Sequence, residues 1–191
     1  NWILYLQKHW WKNLIYDIVN FKIDMNKKKK PKYFILDVDG VITNGQMIYD
    51  HSGKKYKIFG QDDHDSLKIM KKYLNILFIS GDRIGFKISK KRVEDMGFKL
   101  KFVPSSKRAE WIDKNLGLKK CIYMGDGIFD HLVMKKALYS IVPNGSLEHV
   151  SKSANFITKN NPAQRAVAEA VIHILKYFFS VNFSKLQKID L

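Results

Sequence analysis

Residues 33–45 read YFILDVDGVITNG, and this stretch decides the predicted fold. The apolar residues 33–36 predict a buried strand, which ends abruptly in Asp37 and, two residues later, Asp39. Residues two apart in an extended chain point to the same side of the backbone. The stretch therefore places two carboxylates together at the end of a strand, which indicates a site rather than part of the core.

Beyond this stretch the chain alternates short apolar runs with helical patterns, which predicts an α/β fold with a parallel sheet covered by helices on both faces. Residues 46–59 instead predict a β-hairpin that turns around Ser52 and Gly53. Residues 129–137 predict a helix. Residues 161–179 predict a long helix, capped by Asn161 with Pro162 at its first position.

The composition favours a globular protein with a lysine-rich surface. There are 34 Lys and Arg against 18 Asp and Glu, a formal net charge of +16. We predict no nucleic-acid partner, because the lysines are scattered and the basic run at 26–32 has the character of a linker. No apolar stretch is long enough to span a bilayer, and the single cysteine, Cys121, excludes an intrachain disulfide. We therefore predict no membrane partner and a cytoplasmic location.

The N-terminal residues have a different pattern from the remainder. Residues 1–24 are predicted as an amphipathic helix or linker segment, which packs on another domain or subunit or lies on a membrane surface. A basic linker at 25–32 follows it. The α/β domain is assigned to residues 33–180 and a C-terminal tail to residues 181–191.

Acidic and polar residues recur where predicted strands end. The strand NILFIS ends in Ser80, with Gly81 and Asp82 after it, and the strand KCIYM is followed by Gly125 and Asp126. Ligands of open α/β sheets bind beyond the carboxyl ends of the strands. Because converging carboxylates repel each other, the pattern predicts a hard divalent cation, and an oxygen-only ligand set favours Mg²⁺.

The same residues predict phosphoryl transfer. Asp37 is the candidate nucleophile, and Asp39 is placed to protonate a leaving group and then to activate water. The hydroxyl of Ser80 and the ammonium of Lys107 are candidates for binding phosphate oxygens. An aspartyl phosphate would form on Asp37 and then be hydrolysed.

This set of residues resembles the haloacid dehalogenase (HAD) superfamily of phosphohydrolases over roughly residues 33–179. The matched segments, in chain order, are DVDGV with Asp37 and Asp39, FISGD with Ser80 and Gly81, SKRAEW with Lys107, and GDGIFD with Asp126 and Asp130. The resemblance implies that Asp37, Asp39 (through its backbone carbonyl) and Asp126 hold Mg²⁺. It also implies that Ser80, Gly81 and Lys107 bind phosphate, with Asp130 and Asp63 as supporting acids.

Within the superfamily, the chain is similar to the group that includes 3-deoxy-manno-octulosonate 8-phosphate phosphatases and the phosphatase-like domains of acylneuraminate cytidylyltransferases. The resemblance implies a three-layer Rossmann-like sandwich with a β-hairpin after the first strand and no full cap domain. It implies a phosphorylated keto-deoxy sugar acid as substrate, an octulosonate 8-phosphate or a nonulosonate 9-phosphate, with a place in lipopolysaccharide or sialic acid biosynthesis. It also implies a homotetramer in which a neighbouring subunit covers the active site.

Four positions depart from the pattern of the family. Asp82 stands between Gly81 and Arg83, where the family has Gly-Arg directly after the hydroxyl residue, and Gly127 stands where a second Asp usually follows Asp126. His64 and Asp65 stand where relatives usually have smaller or neutral residues. Arg83 and His64 are candidates for substrate contact, and His64 alternatively is a surface residue at a helix start.

A second function stays open at this point: an oligomerisation domain associated with a sugar-activating cytidylyltransferase, weakly or not catalytic. The two departures at Asp82 and Gly127 and the segment at 2–21 are compatible with it. The intact motif residues argue against it, because a scaffold would not need them.

Overall fold

The computed structural model describes residues 29–182, so the predictions for residues 1–24 and for most of the linker and tail lie outside the described residues. The strands in chain order are β1 Tyr33–Asp37, β2 Thr43–Asp50, β3 Gly53–Phe59, β4 Asn75–Ser80, β5 Leu100–Phe102, β6 Cys121–Met124, β7 Tyr139–Val142 and β8 Phe156–Ile157. The α-helices are α1 Asp63–Met70, α2 Phe86–Asp95, α3 Arg108–Leu116, α4 His131–Met134, α5 Glu148–Ser151 and α6 Ala166–Phe179.

Six strands form one sheet in the order β5-β4-β1-β6-β7-β8, and every neighbouring pair is parallel. Strand β1 is central, with Asp37 level with Ile79 of β4 and Leu36 level with Met124 of β6. After β1 the chain builds one side of the sheet and then crosses to the other. This change of direction beside β1 is the position at which open α/β sheets bind ligands.

Helices cover both faces of the sheet, and β1 shows this within a few residues. Phe34 and Leu36 are buried in a cluster with side chains of α1, α2 and α6, whereas Ile35 is buried in a second cluster with side chains of α3 and α4. Successive residues of a strand point to opposite faces, so a strand covered on both faces is apolar throughout. The predicted three-layer α/β sandwich is confirmed.

Strands β2 and β3 form a separate antiparallel hairpin, with Asp50 paired to Gly53 across His51 and Ser52. The predicted hairpin is confirmed, and its turn begins one residue earlier than predicted. Its apolar side chains Met47, Ile48, Tyr49, Tyr56 and Ile58 are exposed.

The prediction that the last helix begins at Pro162 is wrong, because α6 begins at Ala166. Ala163 and Arg165 have φ angles of 58° and 73°, which lie outside the helical region. The N–H of Ala163 donates to the carbonyl of Val41 at 3.2 Å. This tertiary hydrogen bond holds the segment as a turn against the loop that follows β1. Among the described residues, no helix is long and apolar enough to cross a membrane.

Candidate active site

A tight turn directly after β1 organises the site. The carbonyl of Val38 accepts the N–H groups of Val41, Ile42 and Thr43 at 3.1–3.3 Å, which reverses the chain within a few residues. Gly40 lies in this turn with φ of 71°, and a Cβ there would stand 1.9 Å from a carboxylate oxygen of Asp126. Glycine is therefore required twice, by its backbone conformation and by the close approach of Asp126.

Three carboxylates meet at the carboxyl edge of the sheet. Asp37, Asp126 and Asp130 each offer one oxygen, and these oxygens all lie within 4.8 Å of one another. Burial raises the pKa of Asp37 to about 7, with Arg108 opposing the rise and the charges of Asp130 and Asp126 adding to it. Burial also raises the pKa of Asp126 to about 7, and the charges of Asp130 and Asp39 contribute to that rise.

One buried guanidinium bridges two of these acids. Nη1 of Arg108 lies 2.5 Å from Oδ2 of Asp37, 2.7 Å from Oδ1 of Asp130 and 3.2 Å from the hydroxyl of Tyr123. Nε of Arg108 is buried without a hydrogen-bond partner among the described residues. The pKa of Arg108 is raised because the nearby Tyr123, Asp37 and Asp130 outweigh the effect of its burial.

Lys107, which the sequence indicated as the phosphate-binding cation, lies outside this cluster. Its side chain is 69% exposed, and its ammonium is 3.4 Å from Glu110. Neighbouring residues at the start of a helix point in directions about 100° apart, because a turn holds about 3.6 residues. Only one of two consecutive cations can face the site, and Arg108 is the one that does.

Asp39 has a different partner. Nζ of Lys57, from β3, lies 2.7 Å from Oδ1 and 2.9 Å from Oδ2 of Asp39. The same Nζ lies 2.7 Å from Asp82, the residue that departs from the family pattern. Lys54 also contacts Asp82, at 2.5 Å. Burial alone would raise the pKa of Asp82, but the hydrogen bonds from Lys54 and Lys57 hold it well below its usual range.

Ser80 is fully buried at the end of β4, the strand beside β1. Its Oγ accepts the N–H of Asp82 at 3.2 Å. A Cβ on Gly81 would stand 2.9 Å from Oγ of Ser105, so the chain after β4 lies tightly against the turn that leads into α3. Ser80 and Gly81 thus lie at the same edge of the sheet as Asp37.

Asp130 is fully buried and is fixed on both oxygens. Oδ1 accepts from Arg108, and Oδ2 accepts the N–H of Gly127 at 2.9 Å. Gly125 lies beneath it, where a Cβ would stand 2.3 Å from Oδ2 of Asp130. The backbone of Gly127 therefore helps to orient a carboxylate of the cluster.

The remaining predicted residues lie apart from the three carboxylates. Asp63 is buried in the first turn of α1, and its Oδ1 accepts the N–H of Ala168 from α6 at 3.0 Å. Arg83 is exposed, with its guanidinium 5.7 Å from the centre of the Phe102 ring. Within residues 29–182, no contact joins Arg83 or His64 to Asp37, Asp126 or Asp130.

The donors fit a divalent cation. The cluster offers oxygen atoms alone, the ligand type of Mg²⁺, and within residues 29–182 no cationic side chain pairs with Asp126. Asp37, Asp126 and Asp130 could hold such an ion. The sequence placed the backbone carbonyl of Asp39 among the ligands, and this stays a prediction; the carboxylate of Asp39 faces Lys57.

Part of the sequence is similar to a curated phosphatase. Over 78 residues, 40% of this chain, the sequence is 36% identical to 3-deoxy-D-manno-octulosonate 8-phosphate phosphatase of Haemophilus influenzae. That match spans 42% of the length of this curated relative. No protein-family model matches the chain.

Solved structures match over most of the chain. The 3-deoxy-D-manno-octulosonate 8-phosphate phosphatase of Moraxella catarrhalis, solved with magnesium, phosphate and a KDO molecule, superposes with a TM-score of 0.70 and 27% identity, over 82% of this chain and 94% of that one. A HAD superfamily (subfamily III A) hydrolase structure from Legionella pneumophila gives a TM-score of 0.70 and 25% identity, over 85% and 93% of the two chains. The chain has the HAD fold. The resemblance inferred from the motifs is confirmed at this level.

Sequence reasoning missed two cations of the candidate site, Arg108 and Lys57. The signal for Arg108 was present, because a basic pair opens α3 and either member could have faced inward. For Lys57 no local signal exists, since it is one lysine of several in the hairpin and its partners lie far away in sequence.

Proposed function

We propose that this chain is a Mg²⁺-dependent phosphomonoesterase that hydrolyses a phosphorylated keto-deoxy sugar acid through an aspartyl phosphate. The observation that carries the proposal is the meeting of Asp37, Asp126 and Asp130 at the carboxyl edge beside β1, with Asp39 two residues from Asp37. The similarity to octulosonate 8-phosphate phosphatases supports this substrate class and favours the octulosonate over a nonulosonate 9-phosphate.

In the first step, a carboxylate oxygen of Asp37 bonds to phosphorus as the bond from phosphorus to the sugar oxygen breaks. Asp39 gives its proton to that leaving oxygen. Burial raises the pKa of Asp37 to about 7 even though Arg108, at 2.5 Å, opposes the rise. A bound cation would favour the ionised form of Asp37 further, which attack at neutral pH requires.

In the second step, the carboxylate of Asp39 takes a proton from water as the water oxygen bonds to phosphorus. The bond from phosphorus to Asp37 breaks, and inorganic phosphate leaves. Ser80 and the N–H of Gly81 are proposed to bind the phosphate oxygens, with Arg108 in place of Lys107 as the nearby cation. A bound Mg²⁺, held by Asp37, Asp126 and Asp130, would supply positive charge to the carboxylates and the phosphate.

The proposal includes a homo-oligomer, a tetramer by resemblance. The exposed apolar residues of the β2–β3 hairpin support it, because their side chains are 42–65% exposed and share one element. Such a surface on a small protein commonly marks an interface. A neighbouring subunit would then cover the site. The cytoplasmic location stays a prediction from the sequence.

The names of the relatives do not favour the second function considered above. They describe phosphatases and a hydrolase, and none describes a scaffold of a cytidylyltransferase. We therefore do not retain that alternative.

The test is phosphate release from a panel of sugar phosphates that includes the octulosonate 8-phosphate and a nonulosonate 9-phosphate, with and without Mg²⁺. The control is Asp37→Asn, which keeps the size of the side chain and removes the nucleophile. We expect turnover that needs Mg²⁺ and is lost in the variant. A folded protein that releases no phosphate from any member of the panel would refute the proposal.

A further inference from the structure

The ammonium of Lys57 is the most enclosed cation near the site. Its side chain has 0% exposure, and besides Asp39 and Asp82 its Nζ lies 2.8 Å from Oγ of Ser89. A buried charge is stable only when it is paired and its hydrogen bonds are satisfied. An ammonium has three N–H groups, and three residues accept from it here.

These three acceptors come from three separate parts of the chain. Asp39 is in the turn after β1, Asp82 is in the loop after β4, and Ser89 is on α2. Lys57 itself lies on β3 of the hairpin. The ammonium cannot turn away from Asp39 without leaving Asp82 or Ser89, so its position is set by the fold.

We propose that Lys57 is a positioning residue that holds the carboxylate of Asp39 toward the leaving oxygen of the substrate, with Asp82 as the counter-ion that fixes Lys57. The inference rests on the proposed function. It also gives Asp82 a role in this chain. The carboxylate of Asp82 is a second counter-ion for the buried ammonium of Lys57, so that Asp39 does not have to neutralise this charge alone. Oδ1 of Asp82 accepts the N–H of Gly85 at 2.9 Å, which fixes Asp82 in turn.

Lys54 provides a matched control within the same hairpin. Its ammonium is 2.5 Å from Asp82, and its side chain is 3% exposed, yet no contact joins it to Asp39 among the described residues. Loss of Lys54 removes a buried cation from the network and leaves the pair of Lys57 and Asp39 intact. A general disturbance of the network would affect both variants, whereas a positioning role would affect Lys57 alone.

The experiment measures kcat/KM for the sugar phosphate and for p-nitrophenyl phosphate in Lys57→Met and Lys54→Met. The sugar alkoxide needs a proton to leave, whereas nitrophenolate leaves without one. Loss of an oriented acid should therefore lower kcat/KM more for the sugar phosphate than for p-nitrophenyl phosphate. We expect a loss of ~10²-fold for the sugar phosphate in Lys57→Met, the lower end of what general acid catalysis supplies, and less than about fivefold for p-nitrophenyl phosphate. We expect Lys54→Met to lose less than about threefold on both, because the ammonium of Lys54 pairs with Asp82 and leaves the pair of Lys57 and Asp39 in place.

A double-mutant cycle distinguishes positioning from structure. If Lys57 acts through Asp39, Lys57→Met added to Asp39→Asn lowers kcat/KM by less than about threefold further. Equal losses on both substrates, or a full further loss in the Asp39→Asn background, would overturn the inference. Lys57→Gln takes the place of Lys57→Met in both measurements if the methionine variant does not fold.

Urea unfolding of the four proteins of the cycle keeps this inference separate from the proposed function. These are the wild type, Lys57→Met, Asp39→Asn and the double variant. A wild-type protein that hydrolyses no phosphate ester defeats the proposed function. The contact between Lys57 and Asp39 is then judged from the unfolding midpoints alone. Non-additive shifts support the positioning of Asp39 by Lys57, and additive shifts reject it.

Discussion

Asp37 and Asp39 stand two residues apart and have different counter-ions. Asp37 is paired with the guanidinium of Arg108 and lies beside Asp126 and Asp130, whereas Asp39 is paired with the ammonium of Lys57. The two carboxylates therefore have different surroundings, which suits the different tasks proposed for them, as is common for a general acid and a nucleophile in one site. Their shared spacing in the sequence does not reveal this difference.

We predict that Arg108→Gln lowers kcat/KM for the sugar phosphate by ~10²-fold or more, in the range for loss of one group that stabilises transition-state charge. Lys107→Gln is the matched control, and it should change kcat/KM by less than about twofold, because exposed charges contribute little. Initial rates at several Mg²⁺ concentrations measure both. A larger loss of kcat/KM in Lys107→Gln than in Arg108→Gln would show that Lys107, the residue that the sequence indicated, is the phosphate-binding cation.

Asp63 gives a prediction on stability and pH. Burial raises its pKa to about 6, and its Oδ2 has no hydrogen-bond partner among the described residues. Because the folded state binds this proton more tightly than the unfolded state, the contribution of Asp63 to stability is full below pH ~4 and is lost as the pH rises through about 6. A shift of this size corresponds to roughly 3 kcal/mol.

Urea unfolding of wild type and Asp63→Asn between pH 4 and pH 7 checks this. The difference in unfolding free energy between the two proteins should change by roughly 1–3 kcal/mol in favour of the variant as the pH rises. Asn is the suitable replacement because its side-chain carbonyl still accepts from the N–H of Ala168. A difference that is constant with pH would show that the pKa of Asp63 is the same in the folded and the unfolded protein.

At the level of single residues, the acids could be predicted and the cations could not. Asp37, Asp126 and Asp130 follow strands whose apolar runs are visible in the sequence, and neighbouring parallel strands end at one edge. Whether Lys107 or Arg108 faces the site depends on the rotation of α3 about its axis. A shift of the helix start by one residue changes that rotation by about 100° and would exchange the two side chains. That start is set by packing on the sheet rather than by a local signal.

Elements differed in how well their sequences specified them. Long apolar runs such as β1 and β4 were predicted, whereas the short edge strands β5 and β8 were not, since pairing with a neighbour defines them more than their own residues do. The helix predicted for residues 129–137 is reduced to α4, His131–Met134. Its first residues are used instead for the turn in which Asp130 accepts the N–H of Gly127.

The hairpin yields a prediction on assembly. Ile48 and Tyr56 face each other across β2 and β3 and are 51% and 65% exposed. We predict that Ile48→Lys with Tyr56→Glu converts the proposed oligomer to a monomer, because burying charge in an apolar interface is unfavourable. Sedimentation velocity measures the outcome.

The control for this experiment is Lys90→Glu, which changes the charge of an exposed side chain on α2, outside the hairpin. It should sediment as the wild type does. Equal sedimentation of the wild type and the hairpin variant would place the interface elsewhere or show that the wild type is already monomeric.

At the scale of the whole molecule, we predict that the carboxylate cluster makes stability depend on a bound cation. Two of the three acids carry pKa values raised to about 7 by burial and mutual repulsion, and a bound cation relieves that repulsion. We predict that Mg²⁺ at one hundred times its Kd raises the unfolding free energy by about 2.7 kcal/mol. Thermal unfolding at several Mg²⁺ concentrations measures this.

Asp126→Asn is the informative variant for the cation, because Asp126 lies in the cluster and no cationic side chain pairs with it among residues 29–182. The dependence of Tm on Mg²⁺ should be lost or reduced in this protein. A wild type whose Tm does not respond to Mg²⁺ would argue against a cation at the cluster.

The separate sheet of the hairpin affects how the molecule loses activity on heating. Strand β1, which carries Asp37, is hydrogen-bonded on both sides within the six-stranded sheet, whereas β2 and β3 pair only with each other. Parts of a protein with fewer buried contacts open at lower free energy than its central strands. A molecule whose hairpin has loosened would keep its folded sheet and Asp37 in place but lose Lys57, the cation that is paired with Asp39. Activity should then fade at temperatures where most of the secondary structure is still intact.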